Sequence, residues 1–447
     1  MGKSLRGVVG LCVVLFVHLC ASCATSYQQH DPFHDSNGEI WDADCRDSGL
    51  PFGVKLLIQH LILKNILGGH VTVPDPIYNL PSNKYDRVAK TMGGVYISAD
   101  NFEDPVTLAY ARVLGKTWKT LCEDSLEKIT EWSRIHVALH IGSADTVFYP
   151  FGGPDAAYPL RFFPKMRNYI LVGLEPIGNF EHIEKNIENK STLVALQQAF
   201  FHYMKKGYFI TSQMMTQLSN QNIRGALCLI LIELARSGYS IHLIEDKSLD
   251  TRGNEIDREK GTIDCVKIVF QSIYGGAPQN LYYVRTDLTN SNGRLSSLMN
   301  FVRRFQFVTF IKSASYVLHD QISFRIRSFI LENSDFILQD DTGIRFSHFN
   351  SRWKKYAFGK YTKPTLPIFH GYEQNDLRKF FEQSDPGNIP FKIGYGFAKN
   401  RPNLILAVSN REASPRMQAK NESEVEENPE ELKGGCPCKK KKKAKTA

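Results

Sequence analysis

Two short stretches concentrate the side chains that could do chemistry. The first is Thr146-Val147-Phe148-Tyr149-Pro150-Phe151-Gly152-Gly153-Pro154-Asp155, followed by Gly173-Leu174-Glu175-Pro176. It reads as strand, glycine turn, helix, strand and acidic residue. The interval from Gly152 to Glu175 is close to the one dinucleotide folds use between a phosphate loop and a ribose-binding acid. Backbone N–H groups at Gly152 and Gly153, beside a helix start, would suit an anion. The same residues also meet local needs, with Asp155 capping its helix, the glycines permitting the turn and Glu175 ending a strand. A full G-x-G-x-x-G is missing, since Gly394-Tyr395-Gly396 lacks the third glycine.

The second stretch is Leu338-Gln339-Asp340-Asp341-Thr342-Gly343. Asp340 and Asp341 there are either turn residues bonding nearby N–H groups or a carboxylate pair for a metal or for acid–base work. An aspartic-protease reading needs a second converging carboxylate, and Asp47-Ser48-Gly49 has no apolar strand before it. Asp287 follows the apolar run Leu281–Arg285, and Lys312-Ser313 follows Phe307–Ile311. Both lie at strand ends, where open α/β sheets bind ligands. Tyr149, Gly152, Gly153, Asp155, Glu175, Asp287, Lys312, Ser313, Asp340 and Asp341 therefore form the candidate ligand pocket. His136, His140, His319 and His348 lack metal-ligand spacing, so no metal is expected, and no cofactor is assigned.

These residues need a scaffold, and the hydrophobic pattern supplies one. Helical periodicity marks Lys55–Leu67, Lys84–Gly94, Thr107–Arg112 and Leu121–Arg134, a helical region before the strands. Strands are expected at Asp145–Phe151, Tyr169–Leu174, Tyr239–Ile244, Val266–Gln271, Leu281–Arg285, Phe307–Ile311 and Phe336–Leu338. Helices are expected at Asp155–Phe163, Thr192–Lys205, Asn222–Arg236, Ser296–Phe305 and Ser323–Glu332. Such alternation predicts an α/β fold with a Rossmann-like, mostly parallel sheet. Phe391–Tyr395 and Asn403–Val408 would close it as an antiparallel C-terminal hairpin. A parallel sheet with such a hairpin also looks like the methyltransferase architecture, although the glycine loop is wrong for it.

The motifs Tyr149-Pro-Phe-Gly-Gly-Pro-Asp155, Leu174-Glu175-Pro176, Ser313-Ala-Ser315-Tyr316, Leu338-Gln339-Asp340-Asp341-Thr342-Gly343 and Phe358-Gly359-Lys360-Tyr361 resemble a group of exported bacterial proteins of unassigned function. The resemblance spans about Lys84 to Val408. It implies an envelope protein and carries no activity or catalytic residue.

The first 23 residues point to the same compartment. Lys3 and Arg6 precede an apolar run from Val8 to Leu19 that is too short for a permanent span and suits a signal peptide. Ala21-Ser22 before Cys23 resembles a lipobox, so a lipidated Cys23 would hold the mature chain on a membrane. Cleavage after Ala24 is the alternative. The division expected is a leader over 1–23, a tether over 24–50, a helical region over 51–140, the α/β domain over 141–410 and a disordered charged tail over 411–447.

The formal charge is +9, and +7 once Lys3 and Arg6 are removed. Lys439–Lys443 supply much of that remainder, so the folded part is near neutral and offers no extended nucleic-acid surface. Six cysteines outside the leader and Cys23 would permit three disulfides, while Cys228 lies in an apolar helix and suits a buried thiol. The leading expectation is an extracytoplasmic envelope lipoprotein, a ligand-binding or structural α/β protein with a possible small-molecule ligand. One alternative is an exported hydrolase using carboxylates clustered at the C-terminal edge of the sheet. The other is a degenerate methyltransferase-like domain.

Overall fold

The structure is a computed structural model that describes residues 81–96, 104–208, 225–259, 262–399 and 402–410. The leader with Cys23, the tether, the Lys55–Leu67 helix and the charged tail lie outside the described residues.

Five strands run parallel in the middle of a ten-stranded sheet: β1 (Thr146–Tyr149), β2 (Asn168–Gly173), β6 (Gln279–Arg285), β7 (Phe307–Ile311) and β8 (Phe336–Gln339). Their order is β6-β2-β1-β7-β8, with β1 in parallel register against β2 on one side and β7 on the other. The chain moves outward from β1 to β2 and β6, then returns to β7 across β1. That reversal makes the gap beyond the ends of β1 and β7 the topological switch point.

Both edges of the sheet are antiparallel. On one side β3 (Tyr239–Leu249), β4 (Glu255–Asp257) and β5 (Ile263–Ser272) extend it beyond β6. On the other, β10 (Asn403–Ser409) inserts between β8 and β9 (Trp353–Gly359), antiparallel to both. The antiparallel C-terminal end is as expected, but the partner strand differs. Phe391–Tyr395 forms no strand, and Gly394–Lys399 is a 3-10 turn. Phe391 is buried by packing edge-on against Trp132, 5.6 Å between ring centroids. Its apolar character thus serves helix contact and not strand pairing. The true partner carries Lys354 and Lys355, charges that suit an edge strand.

Alternation along each central strand splits the core between two faces. Val147, Tyr149, Tyr169 and Leu171 join one cluster with the helices Lys84–Gly93, Pro105–Leu121, Glu127–His136, Lys190–Lys206 and Leu227–Arg236. Phe148, Ile170 and Val172 join the opposite cluster with the helices Leu295–Val302 and Phe324–Asn333. The result is the helix–sheet–helix layering of α/β folds. Within the helical region, Pro105–Leu121 continues through a π-helical turn, Cys122–Leu126, into Glu127–His136. Among the described cysteines, Cys122, Cys228 and Cys265 are free thiols, so they make none of the expected disulfides. No helix among the described residues is long and apolar enough to cross a membrane.

Candidate functional site

The C-terminal ends of β1, β2, β7 and β8 gather most of the predicted residues. After β1 the chain turns through Phe151 and Gly153, both with positive φ (63° and 56°). The Gly153 N–H donates to the Val172 carbonyl at 3.0 Å, which lays the loop over β2. Further along, the N–H groups of Ala156 and Ala157 donate to Glu233 Oε2 at 2.5 and 2.8 Å, Ala156 sharing its proton with the Pro154 carbonyl. An internal carboxyl group therefore takes the N–H groups that start the helix Ala157–Phe162, while the Gly153 N–H, expected to face an anion, is used by β2. Glu233 was missed in the sequence, although it is the lone acid in the apolar helix Leu227–Arg236.

The switch point itself is filled by an ion pair. Lys312 Nζ lies 2.7 Å from Asp155 Oδ2, and each residue is 2 % exposed. Lys312 also donates to the Gly207 carbonyl at 2.6 Å and stands 3.8 Å above the Tyr158 ring centroid. Asp155 accepts from the hydroxyls of Tyr149 (3.0 Å) and Tyr203 (2.7 Å). Burial, then the Asp155 charge, pushes Glu233 well above the usual carboxyl range. The same two causes raise Tyr149, Tyr158 and Tyr203, so all three phenols stay protonated. The cluster thus carries one ion pair, with burial and the Asp155 charge pushing Glu233 toward its protonated form.

Glu175 takes a different place from Asp155. It is buried over Gly153 and Gly173 and accepts from the Tyr283 hydroxyl at 3.1 Å. A Cβ on Gly173 would stand 2.5 Å from the Glu175 carboxylate and 2.6 Å from the Tyr283 oxygen, so the glycine is needed for this approach.

Next to the ion pair, β7 and β8 end in a second group. Ser313, Ser315 and Tyr316 all hold left-handed backbone, with φ of 54°, 52° and 59°. Such strain costs about 1–3 kcal/mol per residue and persists only where surrounding contacts enforce it. Here those contacts are with Asp340: its Oδ2 accepts the Ser313 N–H at 2.9 Å, and its Oδ1 accepts the Thr342 N–H and hydroxyl. The Thr342 hydroxyl in turn accepts the Ala314 N–H at 2.7 Å. Asp341 accepts from the Tyr316 hydroxyl at 2.6 Å and the Asn403 amide at 3.0 Å, while its own N–H donates back to Asn403 Oδ1 at 2.9 Å. Burial, then the Asp341 charge, raises Asp340 to about 7. Burial also raises Asp341.

Lys312 and Ser313 link the two groups, since one side chain meets Asp155 and the next N–H meets Asp340. Tyr149, Gly152, Gly153, Asp155, Lys312, Ser313, Asp340 and Asp341 therefore adjoin one another, with Glu175 beside Gly153. Asp287 stays outside: it is exposed and caps its own turn through the Thr289 N–H at 2.9 Å. The Ser313 hydroxyl is buried with no hydrogen-bond partner, and no histidine is bonded to it. His136, His140 and His319 pack against aromatic rings. Among the described residues, no three His, Cys, Asp or Glu side chains could hold a metal ion together. Tyr158, Tyr203, Tyr316, Tyr395 and Asn403 also stand here and were not among the candidate pocket residues; Tyr316 and Tyr395 fall inside quoted motifs that gave them no role, and nothing in the sequence signalled where the five would converge. No protein-family model matches this chain, and neither a curated protein nor a solved structure is similar enough to match it.

Proposed function

We propose that this chain is an exported, membrane-anchored α/β binding protein on a methyltransferase-type sheet whose cofactor crevice has been sealed. Support for the sheet type comes from the strand order β6-β2-β1-β7-β8-β10-β9, with β10 reversed against its neighbours. In that architecture a nucleoside cofactor lies over the ends of the strands here numbered β1, β2 and β7. The observation that carries the reading is the Asp155–Lys312 ion pair, buried in that place among Tyr149, Tyr158 and Tyr203. With Glu233 on the adjoining N–H groups, the donors a cofactor would use are already engaged. A nucleoside would have to displace a satisfied buried ion pair, at a cost of several kcal/mol. Ligand contact then falls to the neighbouring ends of β7 and β8, where strained backbone and half-buried polar groups remain.

Calorimetry on the full chain tests the sealed crevice. S-adenosylmethionine and nicotinamide dinucleotides should give no binding heat, and stoichiometric micromolar binding of either would overturn the reading. Export rests on the leader, the lipobox-like Cys23 and the resemblance to exported bacterial proteins. Mass spectrometry of the mature N-terminus should find acylated Cys23. An unmodified residue 25 removes the anchor, and an intact leader on cytosolic material removes export altogether.

A further inference from the structure

The residues that precede each parallel strand gather at the edge of the sheet opposite the candidate site, and the lead into β1 is the most open part of that edge. The helix Glu127–His136 runs along the face of β9, with His136 5.0 Å from the Phe358 ring and His140 5.6 Å from the Tyr356 ring, and passes into the 3-10 turn Ala138–His140. Ile129, Trp132 and Val137 are buried against the sheet, yet Ile135 is 49 % exposed and Leu139 84 %. Four positions apart, these two share the outward side.

The unpaired exposed charges beside them are basic. Lys165 and Arg167 precede β2, and the Arg167 N–H donates at 2.8 Å to the Asp145 carbonyl in the lead to β1. Lys354, at the start of β9, lies 5.2 Å from the ring of Tyr356, the residue that His140 packs against. None of these cations makes an ion pair among the described residues. The nearby acids are engaged or set apart: Asp145 is half-buried and accepts the Thr146 hydroxyl at 2.7 Å, Asp335 is half-buried, Glu131 is paired with Arg134, and Glu332 belongs to a helix on the other face.

Both ends of the domain meet this same edge. The Asn83 amide donates at 2.9 Å to the Ile241 carbonyl at the start of β3, which points the same way as the central strands because β5 is antiparallel to both β3 and β6. The Asn410 N–H donates at 2.9 Å to the Arg352 carbonyl beside the start of β9. Residues that follow Cys23 therefore reach the domain, and the lysine-bearing segment leaves it, where Leu139 stands. Exposed Ile322 and Ile368 lie at the opposite edge beside Asp320, which bonds Tyr372 of the Ile368 turn at 3.2 Å, so that edge lacks the basic surround.

We propose that the edge carrying Ile135, Leu139, Lys165, Arg167 and Lys354 rests on an anionic phospholipid surface. The two apolar side chains enter the headgroup region and the cations meet lipid phosphates, the combination that holds interfacial segments on membranes. The inference rests on the membrane-anchored reading above and adds the face that meets the bilayer, leaving the C-terminal ends of β1, β7 and β8 directed away from it.

Co-sedimentation of the mature chain from residue 25, which carries no acyl group, with phosphatidylcholine vesicles containing about a third phosphatidylglycerol tests this. Wild type should bind these vesicles and not pure phosphatidylcholine. Leu139→Ala should weaken binding about fivefold and Leu139→Asp more than about tenfold, since the second also adds a repelled charge. Lys165→Gln and Lys354→Gln should each weaken it about fivefold, and by less at raised salt. Ile368→Asp should stay within about twofold of wild type. All four positions are exposed, so far-ultraviolet circular dichroism should match wild type throughout. Lys439–Lys443 are present in every variant, so differences among them report this edge alone. Binding blind to Leu139→Asp and Lys354→Gln, binding equal on neutral vesicles, or no binding at all overturns the proposal, as does loss through Ile368→Asp. These outcomes do not depend on acylation, whereas an unmodified residue 25 on the natural protein removes the anchor and leaves this face.

Discussion

Replacing Lys312 by methionine takes one charge out of the switch-point cluster while nearly preserving its volume. At 2.7 Å from Asp155 and an effective dielectric of 20, the attraction lost is roughly 6 kcal/mol. Stripping water from both ions cancels much of that gain, so the intact pair adds little net stability. Breaking it is costlier than never having made it. Asp155 would keep only the Tyr149 and Tyr203 hydroxyls, at 3.0 and 2.7 Å, and remain buried with no counter-ion. A carboxylate stranded in this way costs about 3–5 kcal/mol. Lys312→Met should therefore lose about 4 kcal/mol in urea unfolding followed by far-ultraviolet circular dichroism, equivalent to a fall in Tm of about 10 °C. Asp155→Asn leaves the Lys312 ammonium with the Gly207 carbonyl and the Tyr158 ring, and should lose about 3 kcal/mol. The double variant discriminates. If the two charges chiefly serve each other, its loss falls about 2 kcal/mol short of the summed single losses. Strict additivity, or a Lys312→Met loss below about 1 kcal/mol, refutes the claim that this pair seals the crevice.

Two further outcomes follow from the neighbouring turn. Asp340 is raised to about 7 in the folded state, so between its unfolded value near 4 and 7 the folded chain holds a proton that the unfolded chain has released. Its contribution is complete below about 4 and is lost as the pH rises through 7. The Tm of Asp340→Asn relative to wild type should accordingly climb between pH 5 and pH 8; a constant difference over that range contradicts the assignment. Ser313 holds φ at 54° with a buried, unbonded hydroxyl, so Ser313→Gly gives up no hydrogen bond. Relief of about 1–2 kcal/mol of left-handed strain offsets about 0.5–1 kcal/mol of added unfolded-state entropy, leaving a gain of up to about 1.5 kcal/mol in denaturant unfolding. A loss there would mean that the turn is not strained at Ser313.

Much of the sheet was legible from hydrophobic pattern alone. Phe307–Ile311 is observed with those same bounds, and Leu281–Arg285 lies inside β6. Central strands buried on both faces leave short, uninterrupted apolar runs, which pattern detects well. Edge elements were harder. β9 sets Lys354, Lys355 and Tyr356 in a row between buried Trp353 and buried Ala357, and its identity depends on β10 arriving from about fifty positions later. Phe391 and Ile393 looked like a strand because burial in the helix-covered core, Phe391 against Trp132, produces the same apolar signature as burial in a sheet.

Of the candidate site, residue types next to strand ends fixed which side chains stand at the C-terminal edge: Asp155, Glu175, Lys312, Ser313, Asp340 and Asp341. That follows from chain direction, because every parallel strand delivers the residue after it to the same edge. Tertiary structure alone decided what those side chains do. Folding sets Lys312 against Asp155 across more than 150 positions and brings Glu233 and Tyr203 to the same place, while Asp341 meets only neutral donors. A charge's behaviour depends on its desolvation and on neighbours within a few ångströms, and neither quantity is local in sequence. So the chain order named the carboxylates, and the packing made one an ion pair and left another bonded to neutral donors.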